Sequence, residues 1–262
     1  LTSLGFKEFE IVTAGLNIKK EKNSFDFMRN RVIFPVIDLR GNVIAFGGRV
    51  LDDSLPKYLN TSDTPVFKKR HNLFAMNIAK SSPRDYIILS EGYMDVIAMH
   101  QYGFTNAVAS LGTSFCEEHA QLLKRYTKNV IICYDSDQAG RNALKKAAQI
   151  LINNGIAVKA AVLSGGKDPD EILKKYGSDY FENILKNSLP YIEYLLAEEK
   201  ENWDLTTIEG KNNYSKRATA HLEFASSAIE RDLYIQKISE ELNVSPELLR
   251  NEFKKLKVRE QK

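Results

Sequence analysis

Short apolar runs that alternate with helical patterns between residues 86 and 163 constrain the fold of this chain most strongly. The apolar runs cover residues 86–90, 106–110, 129–134 and 157–163. The helical patterns between them cover about 94–102, 117–126 and 139–153. Apolar runs of about four to eight residues separated by helices are typical of parallel strands buried on both faces. The middle of the chain is therefore predicted to form an open α/β sheet.

A mixed region precedes the predicted sheet. Residues 31–38 and 42–46 have strand patterns, and Gly41-Asn42 between them favours a tight turn, which predicts a β-hairpin. Residues 73–80 have a helical pattern. We therefore assign residues 1–84 to a mixed α/β subdomain that is truncated at its start, and residues 85–170 to the α/β domain.

A helical region follows the sheet. Pro190 is predicted to begin one helix and Ser245-Pro246 another, because proline suits the first turn and serine can cap it. Residues 171–262 are therefore predicted to form a C-terminal helical bundle that serves as a scaffold.

Lysine and arginine are concentrated in the first third of the chain. Residues 1–90 contain 14 of them against 9 aspartates and glutamates, whereas residues 91–170 are balanced at 8 against 8; the whole chain has a formal net charge of +3. A basic surface beside a group of carboxylates suits a polyanion that is held near metal ions. The charge distribution by itself is equally compatible with a solvated basic surface that binds no partner.

Cysteine and histidine usage excludes several kinds of site. Cys116 and Cys133 are too few for a disulfide framework or a cysteine-rich zinc site, and the four histidines show no metal-ligand spacing. Cys133 lies in an apolar run and is predicted to be a buried core residue. Because no apolar run approaches about 20 residues and the N-terminus has no secretory pattern, the protein is predicted to be cytoplasmic, with no membrane partner.

Carboxylates follow three of the four predicted strands. These residues are Glu91 and Asp95 after the first run, Asp135 and Asp137 after the third, and Asp168 and Asp170 after the fourth. Ligands of open α/β sheets bind at the carboxyl ends of the strands, and carboxylate oxygens suit Mg²⁺ or Mn²⁺. Two such ions can activate a hydroxyl and stabilise the leaving oxygen in phosphoryl transfer. Acids are common in loops, but three acidic sites in sequence order favour the metal site.

The residues at these positions resemble a known fold. Glu91-Gly92, then Asp135-x-Asp137, then Asp168-x-Asp170 is the order found in the Toprim fold, which primases share with topoisomerases, some nucleases and recombination proteins. Finer motifs are similar to the bacterial replicative DNA primases: EGYMD (91–95), ASLGT (109–113), YDSDQAG (134–140), DPD (168–170), RVIFP (31–35), FGGRV (46–50) and PKYLN (56–60).

The resemblance implies roles for individual residues. The implied principal metal ligands are Glu91, Asp135 and Asp137, and the implied supporting acids, which would bind a second ion, are Asp95, Asp168 and Asp170. The residues that would hold nucleotide phosphates or template are Arg49, Lys57, Tyr58, Asn60 and Lys69, together with Arg29 and Arg31 on the same basic face. Each basic residue could instead be an ordinary surface charge, and Tyr58 could be a core aromatic.

The resemblance also implies an activity and partners. The expected activity is synthesis of a short RNA primer on single-stranded DNA from ribonucleoside triphosphates, with Mg²⁺ or Mn²⁺ and an RNA–DNA hybrid product, at the replication fork in the nucleoid. Two cysteines cannot form the zinc-binding domain of the family, and its core usually begins upstream of Leu1, so the chain is expected to be a fragment. Because the chain stops soon after Leu249, the helicase-binding region is expected to be absent and the replicative helicase to bind the full-length protein.

Three alternatives remain open from the sequence. Another Toprim enzyme would share the acids, although a topoisomerase also needs a nucleophilic tyrosine on a further domain, and a nuclease needs no nucleotide site near Lys57. A fragment could bind single-stranded DNA or nucleotides without turnover. A phosphatase with an Asp-x-Asp nucleophile is disfavoured, because its acidic pair generally follows the first strand.

Overall fold

The computed structural model describes residues 1–21 and 23–260. Compactness divides the chain into two units, Leu1–Ser188 and Leu189–Lys262. Each unit has a hydrophobic core of its own.

The first unit begins with a short helix and two antiparallel sheets. These elements are α1 (Glu8–Thr13), the hairpin β1 (Asn17–Lys20) and β2 (Asn23–Asp26), and the three strands β3 (Val32–Ile37), β4 (Val43–Arg49) and β5 (Tyr58–Asn60). The predicted hairpin is confirmed as β3–β4, with Gly41 at a φ of 93° in its turn. The sequence analysis missed β1, β2 and β5, because runs of three or four residues carry too little alternation to be recognised.

The helix predicted over residues 73–80 was wrong in length. The helix α2 covers Met76–Ala79, because Ala75 adopts a left-handed backbone conformation and the backbone of Phe74 pairs instead with Ala109. The helical spacing of apolar residues indicated burial correctly here. The helix is shorter than predicted because the Phe74 backbone hydrogen-bonds to Ala109 instead of joining the helix.

The predicted α/β sheet is confirmed. Its parallel strands are β6 (Ile87–Ser90), β7 (Ala107–Ala109), β8 (Asn129–Ile132) and β9 (Ala157–Ala160), in the order β9-β8-β6-β7. Its helices are α3 (Tyr93–Gln101), α4 (Glu117–Lys124), α5 (Gln138–Asn153) and α6 (Pro169–Lys186). Because β9, β8 and β6 are neighbours, the three acid-bearing strand ends lie side by side.

The core of this sheet includes α6. Ile172, Phe181 and Leu185 of α6 share a buried cluster with Ile88 of β6 and Ile131 of β8. Cys133 is in the same cluster and fully buried, as predicted. The helical run predicted from Glu171 therefore starts inside the first unit. The division of the chain at residues 84 and 170 stays a prediction.

The second unit is helical, as predicted. It contains β10 (Leu189–Pro190), α7 (Tyr191–Asn202), α8 (Ile208–His221), α9 (Ala228–Leu242) and α10 (Pro246–Glu260). Pro190 directly precedes the first turn of α7, and the Ser245 hydroxyl accepts a hydrogen bond from the Glu247 N–H at 3.3 Å. Tyr214, Leu222 and Ile238 are fully buried in its core. Across residues 1–21 and 23–260, no helix is long and apolar enough to cross a membrane.

Candidate active site

One cavity of about 840 Å³ at the carboxyl edge of the sheet contains every acid that the sequence analysis singled out. Its lining includes Glu91, Asp95, Asp135, Asp137, Asp168 and Asp170. Glu91 directly follows β6, Asp95 lies in the first turn of α3, and the two Asp-x-Asp pairs follow β8 and β9. The parallel register therefore brings residues up to 79 positions apart to one edge.

Glu91 joins the first two acidic sites directly. Its Oε1 accepts a hydrogen bond from the backbone N–H of Asp135 at 3.2 Å. Gly140, in the first turn of α5, makes this approach possible: a Cβ there would lie 2.8 Å from Glu91 Oε1 and 2.1 Å from the Asp135 carbonyl oxygen. The glycine of the motif YDSDQAG is thus required by packing at the site.

The other acids have local partners in the structure. Asp137 and Asp168 cap α5 and α6, accepting hydrogen bonds from the N–H groups of Gly140 at 2.7 Å and Glu171 at 2.8 Å. Asp170 pairs with Lys174 at 2.7 Å. Both Asp-x-Asp pairs therefore stand at helix N-termini, where negative charge is favoured.

Burial, together with the crowding of carboxylates, raises several pKa values at this site. Asp95 is 9% exposed, and burial, followed by the charges of Asp135 and Asp168, raises its pKa to about 7. Burial and the charge of Asp135 raise the pKa of Glu91, and burial with the charges of Asp168 and Asp137 raises that of Asp135. A further part of each shift, after burial, comes from neighbouring negative charge, which a cation would relieve.

The donor set fits a hard divalent cation in its chemistry. All six side chains offer carboxylate oxygens, the ligands that Mg²⁺ and Mn²⁺ prefer. Within residues 1–21 and 23–260, however, no three His, Cys, Asp or Glu side chains converge closely enough to hold an ion as they stand. Asp137 is exposed, and its Oδ1 is held by the N–H of Gly140 as the cap of α5.

Four of the predicted nucleotide-binding residues lie in this cavity: Arg49, Lys57, Tyr58 and Asn60. They come from β4, β5 and the segment between them. The Arg49 guanidinium lies 5.3 Å from the Tyr58 ring centroid, and Tyr58 meets Tyr93 edge-on at 5.5 Å. Asn60 Oδ1 and Tyr93 Oη are buried, and neither has a hydrogen-bond partner in the described part of the chain. Such atoms are suited to a polar ligand.

The cavity also contains two lysines that sequence reasoning missed as site residues, Lys167 and Lys174. Lys167 directly precedes the second Asp-x-Asp pair, and Lys174 follows Asp170 by one helical turn. That proximity in the sequence was the available signal, because residues four apart on a helix share a face.

Lys69, Arg29 and Arg31 lie outside the cavity lining. Lys69 opens a 3-10 turn, where its backbone N–H donates to Asp63 Oδ1 at 3.0 Å, and the Arg29 guanidinium lies over the Phe25 ring at 4.8 Å. Arg31 donates to the carbonyl oxygens of Pro56 at 2.7 Å and Lys57 at 3.2 Å. In the structure Arg31 therefore holds the segment that carries Lys57.

Comparison with known families finds matches along most of the chain. A family of Toprim-like domains matches residues 88–173, the N-terminal domain of the DNA primase catalytic core matches residues 1–80, and the DnaB-helicase binding domain of primase matches residues 192–247.

Curated relatives and solved structures agree with these matches. DNA primase of Clostridium acetobutylicum is 44% identical over 245 residues, which are 93% of this chain and 41% of the relative; that of Halalkalibacterium halodurans is 36% identical over 91% and 41%. The chain thus spans about 41% of the length of these relatives. A DNA primase domain from Pseudomonas aeruginosa has a TM-score of 0.79 at 37% identity, with 96% of this chain and 82% of that domain covered. A DnaG primase catalytic domain bound to single-stranded DNA has a TM-score of 0.79 at 35% identity, with 95% and 81% covered.

The expected absence of a helicase-binding region was wrong. The match to the DnaB-helicase binding domain of primase covers residues 192–247, from α7 to the first turn of α10. The sequence analysis interpreted these helices as a scaffold. A helical interaction surface has no short motif that marks its function, whereas the acids of the sheet do. With 37% identity to a solved primase domain of which 82% is covered, and with matches to two regions of primase and to the Toprim-like domains, the chain belongs to the bacterial DnaG primase family.

Proposed function

We propose that this chain is the RNA polymerase core of a primase, which synthesises short RNA primers on single-stranded DNA. The observation that carries the proposal is the cavity in which acids from three neighbouring strand ends face Arg49, Lys57 and Lys167. Nucleotidyl transfer needs carboxylates for divalent ions and cations for a triphosphate in the same place.

In the proposed reaction, the 3′ oxygen of the primer forms a bond to the α-phosphorus of a ribonucleoside triphosphate, and pyrophosphate leaves. Glu91, Asp135 and Asp137 are the proposed principal ligands of Mg²⁺ or Mn²⁺, with Asp95, Asp168 and Asp170 in support. A divalent ion, when bound, lowers the pKa of the attacking hydroxyl and neutralises charge on the phosphates.

The basic wall of the cavity orients the triphosphate in this proposal. Arg49 and Lys57 bind phosphate oxygens, and as cations they do not compete with the carboxylates for the metal ions. Asn60 and Tyr58 contact the nucleotide, and Asn60 Oδ1 thereby gains the hydrogen-bond donor that it lacks within the described residues.

The template is proposed to run along the basic face that includes Arg29, Arg31 and Lys69. A DnaG primase catalytic domain that is 35% identical to this chain has been solved with single-stranded DNA, which supports this ligand. Since these contacts are mainly to phosphates, affinity is expected to fall as salt rises. We also propose that residues 192–247 bind the replicative helicase.

The decisive experiment is extension of an RNA primer annealed to a DNA template, with labelled ribonucleotides and Mg²⁺. The Asp135→Asn, Asp137→Asn double variant should lose at least about 100-fold in rate, because asparagine retains the helix cap at residue 137 but supplies less charge to the ions. Asp179→Asn, an exposed acid of α6, is the matched control.

The outcomes separate the proposal from its alternatives. Full activity of the double variant, with its circular dichroism unchanged, would refute the metal assignment. Cleavage or relaxation of DNA without nucleoside triphosphates would favour another Toprim enzyme. Binding of nucleotide and DNA without any product would favour a non-catalytic binding fragment.

A further inference from the structure

A second cavity, of about 920 Å³, adjoins the acid cavity. The two share Glu91, Ser110 and Gly112 in their linings. Glu91, the proposed metal ligand, is therefore accessible from two sides. The proposed reaction also brings two reactants to the metal-binding carboxylates, a triphosphate and a primer 3′ end.

One wall of the second cavity is a continuous face of α5. The face is formed by Ala139, Asn142, Ala143, Lys146, Gln149 and Ile150, which recur every three or four residues. At about 1.5 Å per residue this face is roughly 16 Å long, enough for about four stacked nucleotides at about 3.4 Å each. The lining also includes the segment from Gly112 to Phe115, in which Thr113 and Ser114 are exposed.

The two cavities differ in charge. Four basic side chains line the acid cavity, namely Arg49, Lys57, Lys167 and Lys174. In the second cavity the basic lining residue among the described positions is Lys146, and the other polar groups are mainly hydroxyls and amides. A triphosphate concentrates several negative charges, whereas a nucleic-acid strand carries one per nucleotide. The charge therefore favours the triphosphate in the first cavity and a strand in the second.

We propose that the second cavity binds the 3′-terminal nucleotides of the growing RNA strand; this assignment rests on the proposed primer synthesis. Lys146 contacts a backbone phosphate, and no described residue forms an ion pair with it. Asn142 Oδ1 accepts a hydrogen bond from Gln138 at 3.2 Å, and within residues 1–21 and 23–260 its side-chain N–H groups donate to no protein atom. Asn142 and Thr113 therefore supply donors for ribose 2′-hydroxyls, the group by which a protein distinguishes RNA from DNA.

The test measures binding and extension separately. Fluorescence anisotropy compares a DNA template carrying a recessed RNA primer with the same duplex carrying a DNA primer, for wild type, Lys146→Glu, Asn142→Ala and the control Lys128→Glu. Lys128 is exposed and precedes β8, at the opposite edge of the sheet. Circular dichroism checks folding; Lys146 and Asn142 are exposed, so their replacement leaves the core intact.

Lys146→Glu should weaken binding of both duplexes roughly tenfold, because a charged contact to phosphate is replaced by repulsion. Asn142→Ala should weaken the RNA-primed duplex more than the DNA-primed one, and Lys128→Glu should change neither. Unchanged affinity in Lys146→Glu, equal losses for both duplexes in Asn142→Ala, or an equal loss for unprimed template would each overturn the assignment. Absence of extension by the wild type would instead refute primer synthesis, while the binding differences would still report on this cavity.

Discussion

Asp95 is a buried acid whose pKa is raised well above that of an ordinary aspartate. Its pKa in the folded chain is about 7, against 3.8 for an ordinary aspartate, with burial as the largest cause. Between these two values the folded state binds more protons than the unfolded state. The free energy of unfolding therefore falls as pH rises through this window, and ionised Asp95 destabilises the metal-free protein above pH 7.

We expect Asp95→Asn to be more stable than wild type at pH 8 when divalent metal is removed by a chelator. The gain has an upper bound of about 4 kcal/mol, and it should fall to less than half of that at pH 5, where folded wild type already carries a neutral Asp95. Urea denaturation at both pH values measures the difference. Asp179→Asn, at an exposed position, should show no gain. Equal stability of wild type and Asp95→Asn at pH 8 would contradict the buried-charge account.

At the scale of elements, the close approach of α5 to the ends of β6 and β8 organises the site. Gly140 in the first turn of α5 leaves room for the Asp135 carbonyl and the Glu91 carboxylate. Alanine normally favours a helix over glycine by up to about 1 kcal/mol. The contacts at Gly140 reverse that preference, because the added Cβ would meet backbone at 2.1 Å.

Gly140→Ala is therefore expected to destabilise the protein by about 2 kcal/mol and to lower primer extension strongly, since the Glu91 carboxylate and the Asp135 carbonyl must move away from α5. Thermal unfolding and the extension assay measure the two effects. Asn153→Ala, at the exposed far end of α5, is the control and should retain both stability and activity. A Gly140→Ala protein that is more stable than wild type would show that α5 can shift without cost.

At the scale of the whole molecule, the proposed catalytic site and the proposed helicase-binding region belong to different units, each with its own core. Every buried residue of the sheet core lies before Ser188, and the helical core begins at Ile192. The acid cavity and the second cavity belong to the first unit, and the match to the DnaB-helicase binding domain of primase lies in the second.

A chain that ends at Ser188 is expected to fold and to bind the RNA-primed template within about twofold of the full chain, but to lose binding to a DnaB-type helicase. The physical reason is that its core needs no side chain from residues 189–262. Circular dichroism, anisotropy and a titration with purified helicase give the three readouts. Helicase affinity equal to that of the full chain would place the helicase site outside residues 189–262.

The sequence by itself determined the parallel sheet and the identity of its acids. Alternating apolar runs and helical patterns predicted β6 to β9, and Glu91, Asp135 and Asp168 follow their strands by covalent connection. Residues at the carboxyl ends of parallel strands lie at the same edge of the sheet, and the observed order β9-β8-β6 places these three ends side by side. Local periodicity and chain adjacency are short-range properties, so they are readable along the sequence.

The tertiary structure decided which of the basic residues singled out from the sequence lie beside the acids and which do not. Lys167 and Lys174 line the cavity, whereas Lys69, Arg29 and Arg31 do not, and Arg31 instead binds the Pro56 and Lys57 carbonyl groups. The assignment of α6 to the sheet core and the opening of a second cavity beside α5 were equally hidden. These features depend on how elements distant in the sequence pack against each other, and a residue's type and neighbours along the chain do not specify that packing.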